Sequence, residues 1–445
     1  MADRKLIARL FWPVLIEQSV AVIITLLSTI MVRGVSEAAM AGVGMLGSFN
    51  MLVMNTFTAV ATGVAVIVSQ RVGAGDRKTA GEAAAQSLTL VVYIASFVGL
   101  LLILFSKNVL GFLFGSAEED VLAASRTYLL FSAASMPLQA IASTISGIMR
   151  STGNTRLPML GSVMANVAYI ITAWTCINPL NMGVAGAGTG LAVSRLVPAA
   201  FLGFMLIRRH AGLVLPKLSL RLSLKKLSAV LRVALPSGAD ALMFEGGKLL
   251  TQVFLSGMGT AAVAANAVVS TLSGFVNLPG STMQIISVTL VGQAFGAKDY
   301  KEARKRSWLA VGLGSGMQGV MAMIFLPLAG ILIGFFDPSD ETAKIALQVL
   351  TLSMIATPFA WSASFVLPFA LRAAGDAKYT MFVSVSSMIV VRVFGSWLLG
   401  VYFGWGLIGI WTSMVIDWVV RGTFFAPRVA GMPKRALRAA QSSAA

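Results

Sequence analysis

Apolar runs of roughly 20 residues recur along the whole chain, separated by short polar breaks, and each run is long enough to cross a hydrocarbon layer of about 30 Å as a helix. In such a layer the backbone must satisfy its own hydrogen bonds, and a helix does so within one segment. A membrane barrel would need apolar and polar residues to alternate over strands of about 10 residues. Stretches such as LTLVVYIASFVGLLLILF (88–105) do not alternate. The breaks fall near 34–39, 69–84, 106–122, 147–157, 180–186, 208–228, 256–260, 292–306, 335–343, 371–379 and 402–406. They predict an all-α polytopic membrane protein of 12 transmembrane helices. Only 11% of the residues are charged, against about 25% in soluble domains, so the apolar solvent extends over most of the chain.

The formal net charge of +17 raises a nucleic-acid partner, but the distribution of charge excludes it. Taking every second break together with both termini as one side collects 27 of the 34 Lys and Arg residues. The other side holds Arg33, Lys107, Arg126 and Lys344, while Arg195, Lys248 and Arg392 fall inside helices. This is the positive-inside pattern, and it predicts a multi-pass inner-membrane protein with both termini cytoplasmic. Cys176 is the only cysteine, so no intramolecular disulfide forms. The start, MADRKLIARLFWPVLIEQ, carries a charged flank, but its apolar stretch runs to Val32, too long for a signal core, and reads as a retained first helix.

The chain also repeats itself. VSQRVGAGDRKTA (68–80) aligns with VGQAFGAKDYKEA (291–303) at an offset of 223, with seven identities. The same offset pairs Pro13 with Pro236, Glu17 with Asp240, and Gly183, Gly186 and Thr189 with Gly406, Gly409 and Thr412. RSTGNTRLPM (150–159) resembles RAAGDAKYTM (372–381) at an offset of 222. The reading is two pseudo-symmetric six-helix lobes around a central cavity: 1–207, a basic cytoplasmic linker 208–228, and 229–445 with a basic cytoplasmic tail. An even number of helices per half makes the repeats parallel, related by an axis along the membrane normal.

The G-A-x-D loops after helices 2 and 8 allow a tight turn, and their Asp is placed to cap the next helix. They serve as structural turns or as cytoplasmic hinges. They are not phosphate-binding loops, since no strand precedes them and no GKS/T follows. Together with the R-S-T-G-N-T-R and R-A-A-G-D-A-K turns and the stretch 371–422, they resemble the multidrug and toxic compound extrusion (MATE) family over nearly the whole chain. The resemblance implies an antiporter in which entry of protons or sodium ions drives efflux of small organic, often cationic, compounds. A flippase of lipid-linked precursors and a transport-inactive relative share that superfamily fold and stay open as alternatives. In helix 1, where many members have an Asp, the matching stretch LSTIMVRG has Ser28. A hydroxyl does not bind and release a proton near neutral pH, so the amino-half coupling site departs from the family's pattern.

Charge inside a membrane is costly and is either functional or paired. Glu17 and Asp240 lie at the same depth in helices 1 and 7, each four residues after a proline. They are candidates for cation or proton coupling or for substrate contact, or else interfacial carboxylates that reach water or a neighbouring donor. Glu245 lies deeper in helix 7, where the resemblance implies a cation or substrate site, and Lys248 at i+3 is close enough to make it a static pair. Arg392 in helix 11 and Asp417 in helix 12 sit at similar depth and read as a structural salt bridge, with Arg421 an alternative partner at i+4. Trp361, Phe57 and Tyr169, with Trp12 and Trp174, are cavity candidates for organic cations, or else packing and lipid-facing residues. Pro137 and Pro358 occupy corresponding places in helices 4 and 10 and predict kinks.

No constellation supports catalysis. The single histidine, His210, sits in the linker, nucleotide motifs are absent, and no metal or cofactor site is read beyond the transported proton or Na+. A membrane-embedded transferase would need catalytic His or Asp clusters at a membrane face. The remaining expectations are a bilayer environment, no nucleic acid and a monomeric state.

Overall fold

A segment crossing hydrocarbon has no water to bond, and among the described residues every regular element is helical. The computed structural model describes residues 2–33, 37–114, 118–208, 210–214, 216 and 222–442. Side chains are described throughout these except at 2–4, 23–33, 37–41, 45, 48–49, 51–52, 55, 113–114, 224–226, 439–440 and 442. Ten helices are long and apolar enough to cross a membrane, and a bent pair, Glu119–Ala134 with Met136–Ser151, forms one more. With the first helix, Ala2–Arg33, these make the twelve spans that the apolar runs predict.

The N-terminal spans are α1 (Ala2–Arg33), α2 (Glu37–Gly73), α3 (Arg77–Leu104), the bent pair α4, α5 (Arg156–Ile177) and α6 (Gly183–Ile207). The C-terminal spans are α7 (Leu224–Ser256), α8 (Thr260–Gly296), α9 (Tyr300–Phe325), α10 (Asp340–Ala373), α11 (Ala377–Tyr402) and α12 (Gly406–Ala430). A short helix follows the third span of each half, at Ser106–Phe114 and Ala329–Gly334, and the two begin 223 residues apart. The chain divides into two compact units, Met1–Val72 with Asp76–Ala234, and Leu235–Ala445 with Gly73–Gly75. The linker and the first turns of α7 belong to the first unit because Val230 and Ala234 are buried in its core beside Val64, Val68 and Leu202.

The turns repeat as the motifs do. Asp76 caps α3 by accepting from the Thr79 backbone N–H at 3.0 Å, and Asp299 caps α9 by accepting from Glu302 at 2.9 Å. The Thr79 hydrogen bonds hold the Asp76 carboxyl below its usual pKa. The turns after α4 and α10 place Gly153 (φ 92°) and Gly375 (φ 85°) in the left-handed region, which glycine enters without strain. Both predicted proline sites break their helices. Pro137 starts the second arm of α4 after a 48° bend, and Pro358 lies in a π-helical turn, Thr357–Trp361, within α10. Proline lacks the N–H that an uninterrupted α-helix would use.

Helices in lipid are held by close packing, which small residues permit. In the first unit, a Cβ on Gly186 of α6 would lie 2.9 Å from the Cys176 carbonyl carbon in α5. In the second, a Cβ on Gly409 of α12 would lie 2.6 Å from the Leu399 carbonyl in α11. Both the glycines and the backbones they touch are 223 residues apart, so the repeat preserves a helix–helix contact. Gly409→Ala is expected to force these helices apart and cost about 1–3 kcal/mol. A lowered unfolding midpoint of the detergent-solubilised protein, relative to an exposed control such as Gly334→Ala, measures it.

Candidate functional site

Each unit carries one carboxylate–arginine pair at the same place in the repeat. In the N-terminal unit, Arg150 at the end of α4 donates Nη2 to Glu17 Oε1 of α1 at 2.5 Å. In the C-terminal unit, Arg372 at the end of α10 donates Nη2 to Asp240 Oδ2 of α7. Arg372 also donates Nε to Thr380 Oγ1 at 3.3 Å and lies over the Phe369 ring at 4.8 Å. Asp240 and Arg372 are buried. An arginine fork satisfies a carboxylate at low desolvation cost relative to either charge alone. Glu17 and Asp240 are therefore clamped acids that tie a proline-bearing helix to the turn after the fourth span of its unit. The sequence leaves these acids as candidates for cation or proton coupling or substrate contact, or as carboxylates that reach water or a neighbouring donor, and in the structure each has an arginine as donor. Arg150 and Arg372 escaped that reading because they sit in predicted breaks, although the repeat had already aligned all four residues.

A second polar cluster has no counterpart in the other half. Lys248 Nζ lies 3.1 Å from Glu245 Oε2, one turn along α7. Asp417 of α12 is fully buried and accepts a hydrogen bond from Ser387 Oγ of α11. Its Oδ2 lies 4.0 Å from both Arg392 Nη1 and Arg421 Nη1 without a hydrogen bond to either. The predicted Arg392–Asp417 pair and its Arg421 alternative are thus both present, at the long end of ion-pair range. Arg421 donates Nη2 to Ser384 Oγ at 3.0 Å, while its buried Nε and Nη1 make no hydrogen bond among the described residues. Arg392 donates Nη2 to Met414 Sδ.

One ring joins these charges. Phe244, next to Glu245, has Lys248 Nζ at 5.9 Å, Arg392 Cζ at 5.4 Å and Arg421 Cζ at 5.8 Å from its centroid. Phe365 meets Phe244 edge-on at 6.0 Å and stacks on Trp361 at 4.6 Å. Arg392 sits in a π-helical stretch of α11, Met388–Val393. Such turns are rare, and they often occur where a helix has been adapted for function. The cluster gathers three cations and two carboxylates around aromatic faces, with several buried polar atoms left unsatisfied. Fully satisfied buried networks are rigid, and partly satisfied ones are costly.

The N-terminal unit buries Arg195 of α6, which is 4% exposed. It donates Nη1 to Ser132 O at 2.7 Å and to Ser135 Oγ at 2.9 Å, at the bend of α4. Its acceptors among the described residues are a carbonyl and hydroxyls rather than a carboxylate. The Ser28 side chain lies outside the described residues. Of the aromatic candidates, Trp361 is buried against Trp418 and Ala360, and Phe57 is buried among Val91, Ala95 and Met136. Tyr169 packs on a core containing Tyr128 and Leu129, and Trp12 and Trp174 are exposed.

The sequence pattern of the MatE family matches residues 13–175 and 236–398, two segments displaced by the offset of the internal repeat. The chain is 25% identical over 425 residues to the uncharacterized transporter YisQ of Bacillus subtilis, covering 93% of this chain and 91% of that one. It is also 25% identical over 439 residues to the probable multidrug resistance protein NorM of Thermotoga maritima, covering 94% and 90%. Its fold superimposes on a MOP superfamily transporter from Pyrococcus furiosus, described as having a binding pocket of reverse polarity, with a TM-score of 0.88 and 20% identity over 96% of each chain.

Removing one partner of a buried pair strands the other charge, at about 3–5 kcal/mol, whereas removing both leaves none. Arg372→Gln is expected to destabilise the protein by that amount, and the Asp240→Asn/Arg372→Gln double variant to recover most of it. Unfolding midpoints across this double-mutant cycle test the clamp.

Proposed function

The chain belongs to the MatE family of membrane transporters, and from that premise we propose that it is a secondary active exporter of the multidrug type. It couples entry of protons or sodium ions to efflux of organic, often cationic, compounds by alternating access. It works as a monomer in the inner membrane with both termini in the cytoplasm, and needs no cofactor beyond the coupling ion. The observation that carries this reading is the division of labour among the acids. Glu17 and Asp240 are held by arginines, whereas Glu245 is held by Lys248, a flexible side chain that is 41% exposed.

The cluster around Phe244 supplies the coupling chemistry. Lys248, Arg392 and Arg421 outnumber Glu245 and Asp417 by one charge. An organic cation entering here competes with Lys248 for Glu245 and with the guanidinium groups for the aromatic faces. A proton or sodium ion arriving at Glu245 neutralises the carboxylate that attracts the substrate and adds one more positive charge to a cluster that already has an excess of one. Substrate and coupling ion therefore exclude one another, which is the condition for exchange. The conformational switch requires each to bind the inward and outward states with different affinity.

Arg195 favours a second reading, a flippase for a lipid-linked precursor. A buried cation held by neutral acceptors is suited to an anionic group, and the Pyrococcus furiosus relative is described as having a reversed pocket polarity.

Ethidium efflux from energised cells, at matched surface expression, separates these readings. Wild type is expected to export the dye, Glu245→Gln to lose at least about tenfold of the rate, and Glu17→Gln to keep most of it. Whichever of a protonophore or a sodium ionophore stops efflux identifies the coupling ion. No export of ethidium or other organic cations by wild type, with activity toward an anionic lipid that depends on Arg195, moves the assignment to the flippase.

A further inference from the structure

One strongly basic cavity lies apart from the cluster around Phe244. It has a volume of about 500 Å3 and opens in the N-terminal unit, where the turn after α4 meets the chain leaving α6. Arg9, Arg77, Arg156 and His210 line it, with Asn154 and Gly212, and no carboxylate does. Arg77 Nη1 donates to Gly212 O at 3.3 Å, and Asn154 Nδ2 to His210 O at 3.5 Å, so these strands of the rim are tied together. The nearby acid Asp76 is engaged elsewhere, with Thr79 and with Arg71 at 4.0 Å. In sequence, the linker 208–228, to which His210 and Gly212 belong, carries Lys and Arg residues but neither Asp nor Glu.

The internal repeat provides a control for this arrangement. The counterpart of Asn154 in the second half is Asp376. There, Arg428 donates Nε and Nη2 to Asp376 at 2.6 and 3.1 Å, and Arg435 Nη2 lies 4.0 Å away. The same turn thus meets the end of the sixth span in both units. In the second it does so through an internal anion between two arginines. In the first, a neutral amide stands in the acid's place, and Met205 occupies the position of Arg428. Cations crowded together without an anion repel one another, and in the second unit the chain supplies that anion itself.

We propose that the N-terminal cavity binds a phosphate group, which serves there as the anion that Asp376 provides in the other unit. Arginines bind phosphate through paired N–H donors. The volume suits a ligand headgroup rather than a bare ion. The cavity also lies at the basic, linker-bearing end of the spans, where anionic phospholipid headgroups concentrate. The headgroup of an anionic phospholipid and free phosphate share this chemistry.

Purified full-length protein in neutral detergent is titrated with phosphatidylglycerol, and separately with inorganic phosphate at constant ionic strength, while the unfolding midpoint is recorded. Wild type is expected to be stabilised. Asn154→Asp changes no volume and places the second unit's acid in the first. It is expected to require about tenfold or more ligand for the same shift, as one added charge within a few ångströms of the site implies. Arg77→Gln/Arg156→Gln is expected to weaken the response similarly, and Lys344→Gln, near the start of α10 in the other unit, to leave it unchanged. A response to the lipid alone assigns the headgroup, and a response to both probes that Asn154→Asp weakens assigns phosphate itself. If neither probe stabilises wild type, or if Asn154→Asp responds as wild type does, the proposal is overturned. Transport is not the readout, so this outcome is independent of the exporter assignment.

Discussion

A charge cannot sit unpaired in hydrocarbon, and that cost organises everything polar in this chain. A lone carboxylate or guanidinium deep in a bilayer is unfavourable by several kcal/mol even after relaxation. The two repeated acids meet it with one solution, an arginine delivered from the turn after the fourth span. Each pair lies wholly within its own unit. The pairs also fix proline-bearing helices, whose backbones have a missing hydrogen bond near the charge. Packing and charge neutralisation thus act at one level of each unit.

Where the two halves agree, the residues do structural work, and where they differ, chemistry collects. Pro13 and Pro236, Glu17 and Asp240, Arg150 and Arg372, and Gly186 and Gly409 are shared, and all hold helices together. The cluster around Phe244 is not shared. Glu245, Lys248, Arg392, Asp417 and Arg421 correspond to Val22, Thr25, Tyr169, Ser194 and Pro198 in the first half. Arg195 in turn stands where the second half has Trp418. A duplicated scaffold stabilises both lobes by the same contacts, which leaves these positions free to diverge. Their departure from the repeat sets them apart from the shared scaffold in a way that their charge alone does not.

The architecture was legible because the bilayer imposes it through one-dimensional rules. Run length predicts spans, loop charge predicts sidedness, and the offset of 223 predicts two lobes, all without knowledge of any contact. The turns were legible for the same local reason, since a cap needs only Asp76 and Thr79 three residues apart. The partners of Glu17 and Asp240 were not, because Arg150 and Arg372 lie 133 and 132 residues away and helical periodicity says nothing about which helices become neighbours. The convergence of three cations on Phe244 was hidden likewise. It depends on π-helical turns in α11 that shift the facing of Arg392, and no pattern in MIVVRV announces such a turn. Lys248 with Glu245 was legible because both lie on one helix face.

Closing each ion pair within one unit has a consequence for a transporter that works by alternating access. If Glu17 were paired with a residue of the other half, each cycle would have to separate and desolvate two buried charges. With Glu17–Arg150 and Asp240–Arg372 each internal to a unit, neither pair has to open when the units move as intact bodies. The helical backbone is interrupted at the 48° bend before Pro137 and at the π turn around Pro358. The bend at Pro137 adjoins Arg195, and the turn at Pro358 adjoins the Trp361–Phe365 stack, so each unit places an interrupted helix beside its unshared buried cation or aromatic wall.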